Sequence, residues 1–409
     1  MRTPTIALAT ALAAFAIGQP VPAAEPLRLF LEAAPGSSAS SDVLPLSPAQ
    51  RNRLARLGAD PAAVATSVVR LTPGVLSATA LSLNVPGRAP QVIAKQAADA
   101  ASWRGTDAAA DVTLARGRDG ITGSLRIAGK SFALRPIGGG LHAFVERDFS
   151  RLPPEHPPGA EGLPVPPAAR PGAEATDDAA RRTARAAPIT YRVLVAYTRQ
   201  AELAVGDMAG LATLAVAETN AAYANSSVVA RAELAGLLRV NGTESSSISS
   251  DLMALQRSGD GRFDEVHARR NQSAADVVVL ISTHRDACGV GYLNASASYA
   301  FSVVSHGCAT GYYSFAHEIG HNQGARHNPE QDPSSSPYPY GHGYYDTTGR
   351  FRTVMSYACP VGCRRIPYFS NPAVSYLGRP TGTATRHNNA RVLNETASRV
   401  AAFRAAPMP

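Results

Sequence analysis

Residues 311–328 read GYYSFAHEIGHNQGARHN. His317 and His321 stand four apart, so a helix over Ser314 to Asn322 turns both imidazoles to one face, close enough to hold one metal ion. Glu318 lies beside the first of them, placed to reach a water molecule on the metal rather than the metal itself. Gly324 supplies permissive backbone where the helix must break and the chain turn back. His327 follows three residues later. Three neutral imidazoles and one open position are the arrangement of a catalytic zinc, whereas a structural site closes all four positions, usually with Cys. HExxH arises by chance roughly one time in a hundred in such a chain, and the added Gly and His lower that to roughly a few in a hundred thousand. Histidines on an ordinary helix are therefore the weaker account.

The residue types imply hydrolysis of an amide. Zinc acidifies water and polarises a scissile carbonyl, while Glu318 accepts the water's proton and later passes it to the leaving amine. No G-x-S-x-G elbow offers a competing nucleophile.

Outward from the motif, the pattern predicts an α/β sandwich with a mixed, largely parallel sheet and an active-site helix. Tyr191 to Thr198 reads as an apolar strand, Glu202 to Tyr223 as one buried helix, Arg231 to Val240 as a second strand, Ser249 to Leu255 as a short helix and Ala275 to Ser282 as a central strand. Gly289 to Asn294 and Ala300 to Ser305 are the expected edge strand and its neighbour, along which an extended substrate would add as a further strand. All four cysteines fall in this part. The pairings Cys288–Cys308 and Cys359–Cys363 each close a local loop, and an even count in an exported chain favours disulfides over a CxxxC zinc site.

Upstream, residues from about 75 to 148 read as short alternating segments broken by Gly and Pro: Ala80 to Val85, Asp111 to Leu114, Gly123 to Ile127, Ser131 to Leu134 and Leu141 to Val145. Leu152 to Pro188 is rich in Pro, Ala, Gly and charge and reads as an exposed linker. Arg2, an apolar run from Ile6 to Ile17 and Val21-Pro22-Ala23 read as a secretion signal. The expected layout is a signal at 1–23, a small mainly-β propeptide domain at 24–150, a cleavable linker at 151–188 and an enzyme at 189–409. That is a secreted zymogen; two permanent domains on a tether are the alternative. No other apolar run is long enough to span a bilayer, so no stable membrane association is expected.

The net charge of +8 invites a nucleic-acid partner, but 37 of the 39 basic residues are Arg, with Lys95 and Lys130 the only lysines, and no basic run concentrates them. From Ile189 onward 19 Arg face 16 acidic residues, about +3. The expected partners are protein or peptide substrates, without nucleic acid, and the expected state of the enzyme is a monomer. No Gly/Asp nonapeptide repeat signals calcium, and calcium binding is left open.

The extended HExxHxxGxxH run resembles that of the metzincin zinc endopeptidases. Arg352-Thr-Val-Met-Ser-Tyr357 resembles their Met-turn, which implies that Met355 floors the site and that Tyr357 approaches the metal and stabilises the tetrahedral intermediate. The finer pattern, FAHEIGHNQGARHNP with RTVMSYAC and PYFSNPAVSYLGRPTG, is most similar to the secreted bacterial peptidyl-Asp metalloendopeptidases, over about residues 189–405. The resemblance implies cleavage on the amino side of Asp, and of Glu. Arg364 and Arg365, just after the Cys359–Cys363 loop, are the candidates to bind that carboxylate with two hydrogen bonds, with Arg352 and Arg386 behind them. Thr176-Asp177-Asp178 in the linker is a candidate for self-cleavage, against trimming near Arg181 to Arg185 by another protease. Residues 24–188 contain no Cys, so a thiolate cannot silence the zinc. Asp148 and His142 are the candidates for that role, beside simple steric cover, and His284, His306, His342 and His387 stay unassigned. The alternatives are a protease of broad specificity, a cell-wall peptide amidase, or a non-catalytic adhesion module, whose signature would be loss of Glu318.

Overall fold

The structure, a computed structural model, describes residues 25–31, 45–85, 88–96, 101–157, 163–164 and 188–405. The expected signal at 1–23 and the candidate cleavage sites at 176–178 and 181–185 lie outside the described residues.

The C-terminal part is built on a six-stranded sheet ordered Ala230–Arg239, Ile189–Tyr197, Val277–Ser282, Phe301–Ser305, Gly289–Leu293 and Leu163–Pro164. The first four run parallel, and Gly289–Leu293 is antiparallel to Phe301–Ser305. Val277–Ser282 is buried along its whole length, as a strand covered on both faces must be, which is why VVVLIS shows no alternation. Helices Met208–Asn225, Ser314–Gln323 and Asn389–Val400 pack on one another and on this sheet around one apolar core that runs from Tyr191 to Val400. The expected single helix from 202 to 223 is two, Arg199–Val205 and Met208–Asn225. Gly206 adopts φ +83°, and the Asp207 carboxylate accepts from the Gly210 N–H at 3.0 Å, so the chain stops and restarts there.

The N-terminal part has its own cores and an antiparallel sheet ordered Ala63–Arg70, Leu141–Arg147, Lys130–Gly138, Ile121–Ile127, Ala110–Arg116 and Ser102–Thr106. Its outer strands escape the sequence pattern because Ala63–Arg70 is largely exposed and Ser102–Thr106 carries one large apolar residue, Trp103. Helix Met208–Asn225 lies across the strands that begin at Ser102, Ala110 and Ile121. Polar contacts seal the join: Arg135 donates to the Thr310 hydroxyl at 2.9 Å, the Asp119 N–H donates to Asp207 at 3.1 Å, and the Ser124 hydroxyl donates to buried Glu218.

The expected exposed linker fails at its start. Residues 152–157 lie against the edge strand Gly289–Leu293, and Glu155 and His156 are buried, with relative exposures of 8% and 4%. Pro153 and Pro154 fix φ and so lower the entropy lost when the segment is held extended. Leu163–Pro164 then pairs parallel with Tyr292–Leu293. Both disulfides, Cys288–Cys308 and Cys359–Cys363, form as local closure anticipates.

Candidate metal centre

The site helix Ser314–Gln323 is buried at every position. Gly324 ends it at φ +107°, where a side chain would be strained and would meet Tyr338, and the Ala325 N–H returns to the Gly320 carbonyl at 2.9 Å. This turn brings His327 back onto the helix. The Nε2 atoms of His317 and His321 are 3.1 Å apart, those of His317 and His327 3.1 Å, and those of His321 and His327 2.9 Å.

The opposite ring nitrogens decide the tautomers. His317 Nδ1 lies 2.8 Å from the Val354 carbonyl and His321 Nδ1 2.9 Å from the Ala325 carbonyl. A carbonyl only accepts, so each Nδ1 carries the proton and each Nε2 presents a bare lone pair to its neighbours. Burial first, and neighbouring positive groups after it, push all three imidazoles far below their ordinary range and keep them neutral. Lone pairs converging in a buried pocket repel one another unless a cation joins them. In a tetrahedral zinc site with bonds of 2.0–2.1 Å the ligand atoms stand about 3.3 Å apart, close to the separations here. The residues present therefore fit zinc.

Glu318 is buried, its Oε2 has no hydrogen-bond partner, and burial raises its carboxyl above the usual range. Gly289 and Gly291 of the edge strand make room for it: a Cβ at Gly289 would collide with the Glu318 carboxylate. Met355 is fully buried beneath the helix, where a Cβ on Gly320 would lie 2.7 Å from its sulfur. The turn that carries Met355 also supplies Val354, whose carbonyl orients His317. Tyr357 places its ring centroid 4.5 Å from that of His327, and Asn328 accepts from its N–H at 2.9 Å.

The two adjacent arginines part company. Neighbours on a strand point to opposite faces, and only Arg365 faces the centre. Arg365 Nη2 lies 2.8 Å from Glu155 Oε2, and its guanidinium stacks on Tyr312 at 4.5 Å. Arg364 instead turns to the Tyr376 hydroxyl. Arg352 moves from second rank to equal partner: its Nη1 is 3.1 Å from Glu155 Oε1, its Nη2 donates to the Tyr312 hydroxyl at 2.9 Å, and that hydroxyl donates to Glu155 at 2.6 Å. Arg352 and Arg365 both also donate to the Ser356 carbonyl, which pins them to the Met355 turn. Burial alone would raise the Glu155 carboxyl, but Arg365 and Arg352 outweigh it and hold it below its ordinary range. Arg386 contributes only a backbone carbonyl, to the His342 N–H.

The similarities to known proteins follow the same lines. Residues 187–386 match the Reprolysin-like metallopeptidase family M12B. The chain is 45% identical over 298 residues to the peptidyl-Asp metalloendopeptidase of Stenotrophomonas maltophilia, covering 72% of this chain and 70% of that one. It is 42% identical over 306 residues to that of Xanthomonas campestris pv. campestris, covering 73% and 71%. The chain belongs to the peptidyl-Asp metalloendopeptidases. It is a zinc metalloendopeptidase, and its substrates are proteins or peptides. The likeness is longer than the 221 residues from Ile189 to Pro409, so it reaches into the N-terminal part. Among the described residues no helix is long and apolar enough to cross a membrane.

His142 and Asp148, the candidates for silencing the metal, sit elsewhere. His142 is in a strand of the N-terminal sheet, opposite Val69 and Pro136, and half-buried Asp148 accepts from the Ser150 N–H at 3.0 Å as the cap of a short turn. The residue at the centre is His156, whose Nε2 stands 3.1 Å from His317 Nε2 and 3.2 Å from Glu318 Oε1. Local sequence pattern passes over it because it stands 161 residues from His317, outside any ligand spacing the helix defines. The available signal was a Glu-His pair held between prolines, in Leu-Pro-Pro-Glu-His-Pro-Pro from 152 to 158.

Proposed function

We propose that His317, His321 and His327 hold the one catalytic zinc, that Glu318 is the general base, and that the enzyme cleaves on the amino side of Asp and Glu. Zinc at this position supplies a Lewis acid for the scissile carbonyl and lowers the pKa of water. Glu318 takes the proton of the attacking water and returns it to the leaving amine; its free, buried Oε2 faces no competing donor. Met355 keeps the floor of the site dry and the helix at a fixed depth. Tyr357, whose ring lies tilted beside that of His327, donates to the oxyanion as it develops. The Val354 and Ala325 carbonyls keep two of the imidazoles in the required tautomer.

The acidic preference rests on one observation: beside the histidine cluster, Arg352, Arg365 and the Tyr312 hydroxyl together hold a carboxylate, that of Glu155. Fork-shaped guanidinium pairs select a carboxylate by geometry as well as charge. Residues 1–23 act as a secretion signal and 24–150 as a propeptide, with the linker up to 188 cut on maturation. Thr176-Asp177-Asp178 offers the enzyme its own preferred bond.

Digestion of casein with product sequencing, with and without a chelator, tests the activity and the preference together. New N-termini at Asp and Glu that vanish on chelation are the expected result. Chelator-sensitive cuts without an acidic bias would leave a protease of broad specificity. Mass spectrometry of the secreted wild type and of Glu318→Ala separates the processing routes, because an identical mature N-terminus in both excludes self-cleavage.

A further inference from the structure

The stretch from Pro153 to His156 meets the centre at three levels. Its backbone adds to the sheet edge: the Cys288 N–H donates to the Pro154 carbonyl at 2.8 Å and the Gly289 N–H to the Glu155 carbonyl at 3.1 Å. The Glu155 carboxylate fills the cradle of Arg352, Arg365 and Tyr312. The His156 imidazole stands edge-on to all three site histidines, with ring centroids 5.2, 5.0 and 4.7 Å from those of His317, His321 and His327. One nitrogen from each of the four rings lies within 4.8 Å of every other.

We propose that the intact chain silences itself by closing this centre with a fourth nitrogen from His156, while Glu155 occupies the seat of the substrate's acidic side chain. The inference rests on the zinc assignment above and names the regulation of that site.

Three physical points carry it. A zinc with three protein ligands keeps a position for water or substrate, and one with four does not. His156 takes that position with a side-chain nitrogen, so the segment satisfies the recognition groups without offering a carbonyl to be attacked. Its Nε2 also lies 3.2 Å from Glu318 Oε1, in the space where water would be deprotonated. The burial of Glu155 is tolerable only because three donors meet it, so the same pocket that would select substrates anchors the plug. This device needs no cysteine, and residues 24–188 have none.

The experiment uses the purified, uncleaved full chain loaded with cobalt(II) in place of zinc, with azide as the probe ligand. The wild type is expected to show a visible spectrum that azide leaves unchanged, and His156→Ala a spectrum that azide shifts. A wild-type spectrum as sensitive to azide as that of His156→Ala overturns the proposal. Failure of the zinc assignment looks different: no stoichiometric cobalt, or a His317→Ala spectrum identical to the wild type. Should His156→Ala not fold, Glu155→Gln keeps the side-chain size and loosens the other anchor. Uncleaved Glu155→Gln is expected to hydrolyse an Asp-containing peptide on the order of 30-fold faster than the uncleaved wild type, and equal rates would overturn the role given to Glu155.

Discussion

Replacing Arg365 by Ala in the processed enzyme should change the choice of substrate more than the chemistry. In the structure its side chain is buried at 2% relative exposure and its guanidinium lies 2.8 Å from a carboxylate oxygen. A hydrogen bond to a charged group in such a place contributes about 1.5–3 kcal/mol. Arg352 and Tyr312 remain, so the loss is partial, about 3 kcal/mol at most, or on the order of 100-fold in kcat/KM for a peptide with Asp after the scissile bond. A peptide with Leu there makes no such bond and gains from the loss of a buried charge, so its kcat/KM should hold or rise. The assay is a pair of fluorogenic peptides differing only in that residue, read as a ratio, because Arg365 also supports the Ser356 carbonyl and any distortion of the turn lowers both rates alike. Arg365→Lys keeps charge but loses the fork and the stack on Tyr312, and should fall between the two. Arg364→Ala, on the Tyr376 side, should leave the ratio alone. Ratios within about threefold of the wild type in both Arg365→Ala and Arg352→Ala would refute the carboxylate cradle.

Other perturbations probe separate parts of the argument. Gly289→Ala puts a methyl group into the Glu318 carboxylate and should lower kcat on the order of 100-fold while zinc stays at one per chain by atomic emission; an unchanged kcat sinks the role of this close approach. Met355→Ala opens a cavity under the helix and should cost about 2–5 kcal/mol in denaturant unfolding, against less than about 1.5 kcal/mol for Met355→Leu; equal losses would show that Met355 is no packing floor. Burial pushes the Glu218 carboxyl up to about 7, against the lowering effects of Ser124, Gly311 and Arg135 and with Asp111 adding to the rise. In the proposed maturation, loss of the N-terminal part opens that carboxyl to water and should return it to its ordinary range, so the seated state carries the extra proton and its hold should weaken as pH rises from about 4.5 to above 7, by up to roughly 3 kcal/mol. Dissociation of the cleaved N-terminal part, followed by native mass spectrometry, should accelerate across that window in the wild type and lose the dependence in Glu218→Gln; the same pH profile in both contradicts the assignment.

What was legible in the sequence was whatever local spacing encodes. His317, His321 and Gly324 announce themselves because one helical turn and one left-handed residue fix their relation, and VVVLIS can only be a strand buried on both faces. The break at Gly206 was hidden because Ala-rich sequence on both sides satisfies a continuous helix. The choice between Arg364 and Arg365 required the strand's register: Phe351 pairs with Arg364 and Arg352 with Arg365, which puts Arg352 and Arg365 side by side on one face. No spacing within either segment contains that fact.

His156 lies further out of reach of local reasoning, being 161 residues from the imidazole it meets. A compositional rule calls its surroundings a solvated linker, since Pro and charge cannot build an apolar core. The rule fails where the charge has a matched seat. Glu155 buried alone would be prohibitive, yet Arg352 and Arg365 buried with no carboxylate would be equally so, and each side removes the other's penalty. In the proposed maturation the segment that carries Glu155 leaves, and the two guanidinia then open to solvent and to substrate. Under the proposed preference, an acidic side chain of a substrate would take the place of Glu155, so latency and selectivity would draw on one arrangement of charge, and a variant of Arg352 or Arg365 should weaken both.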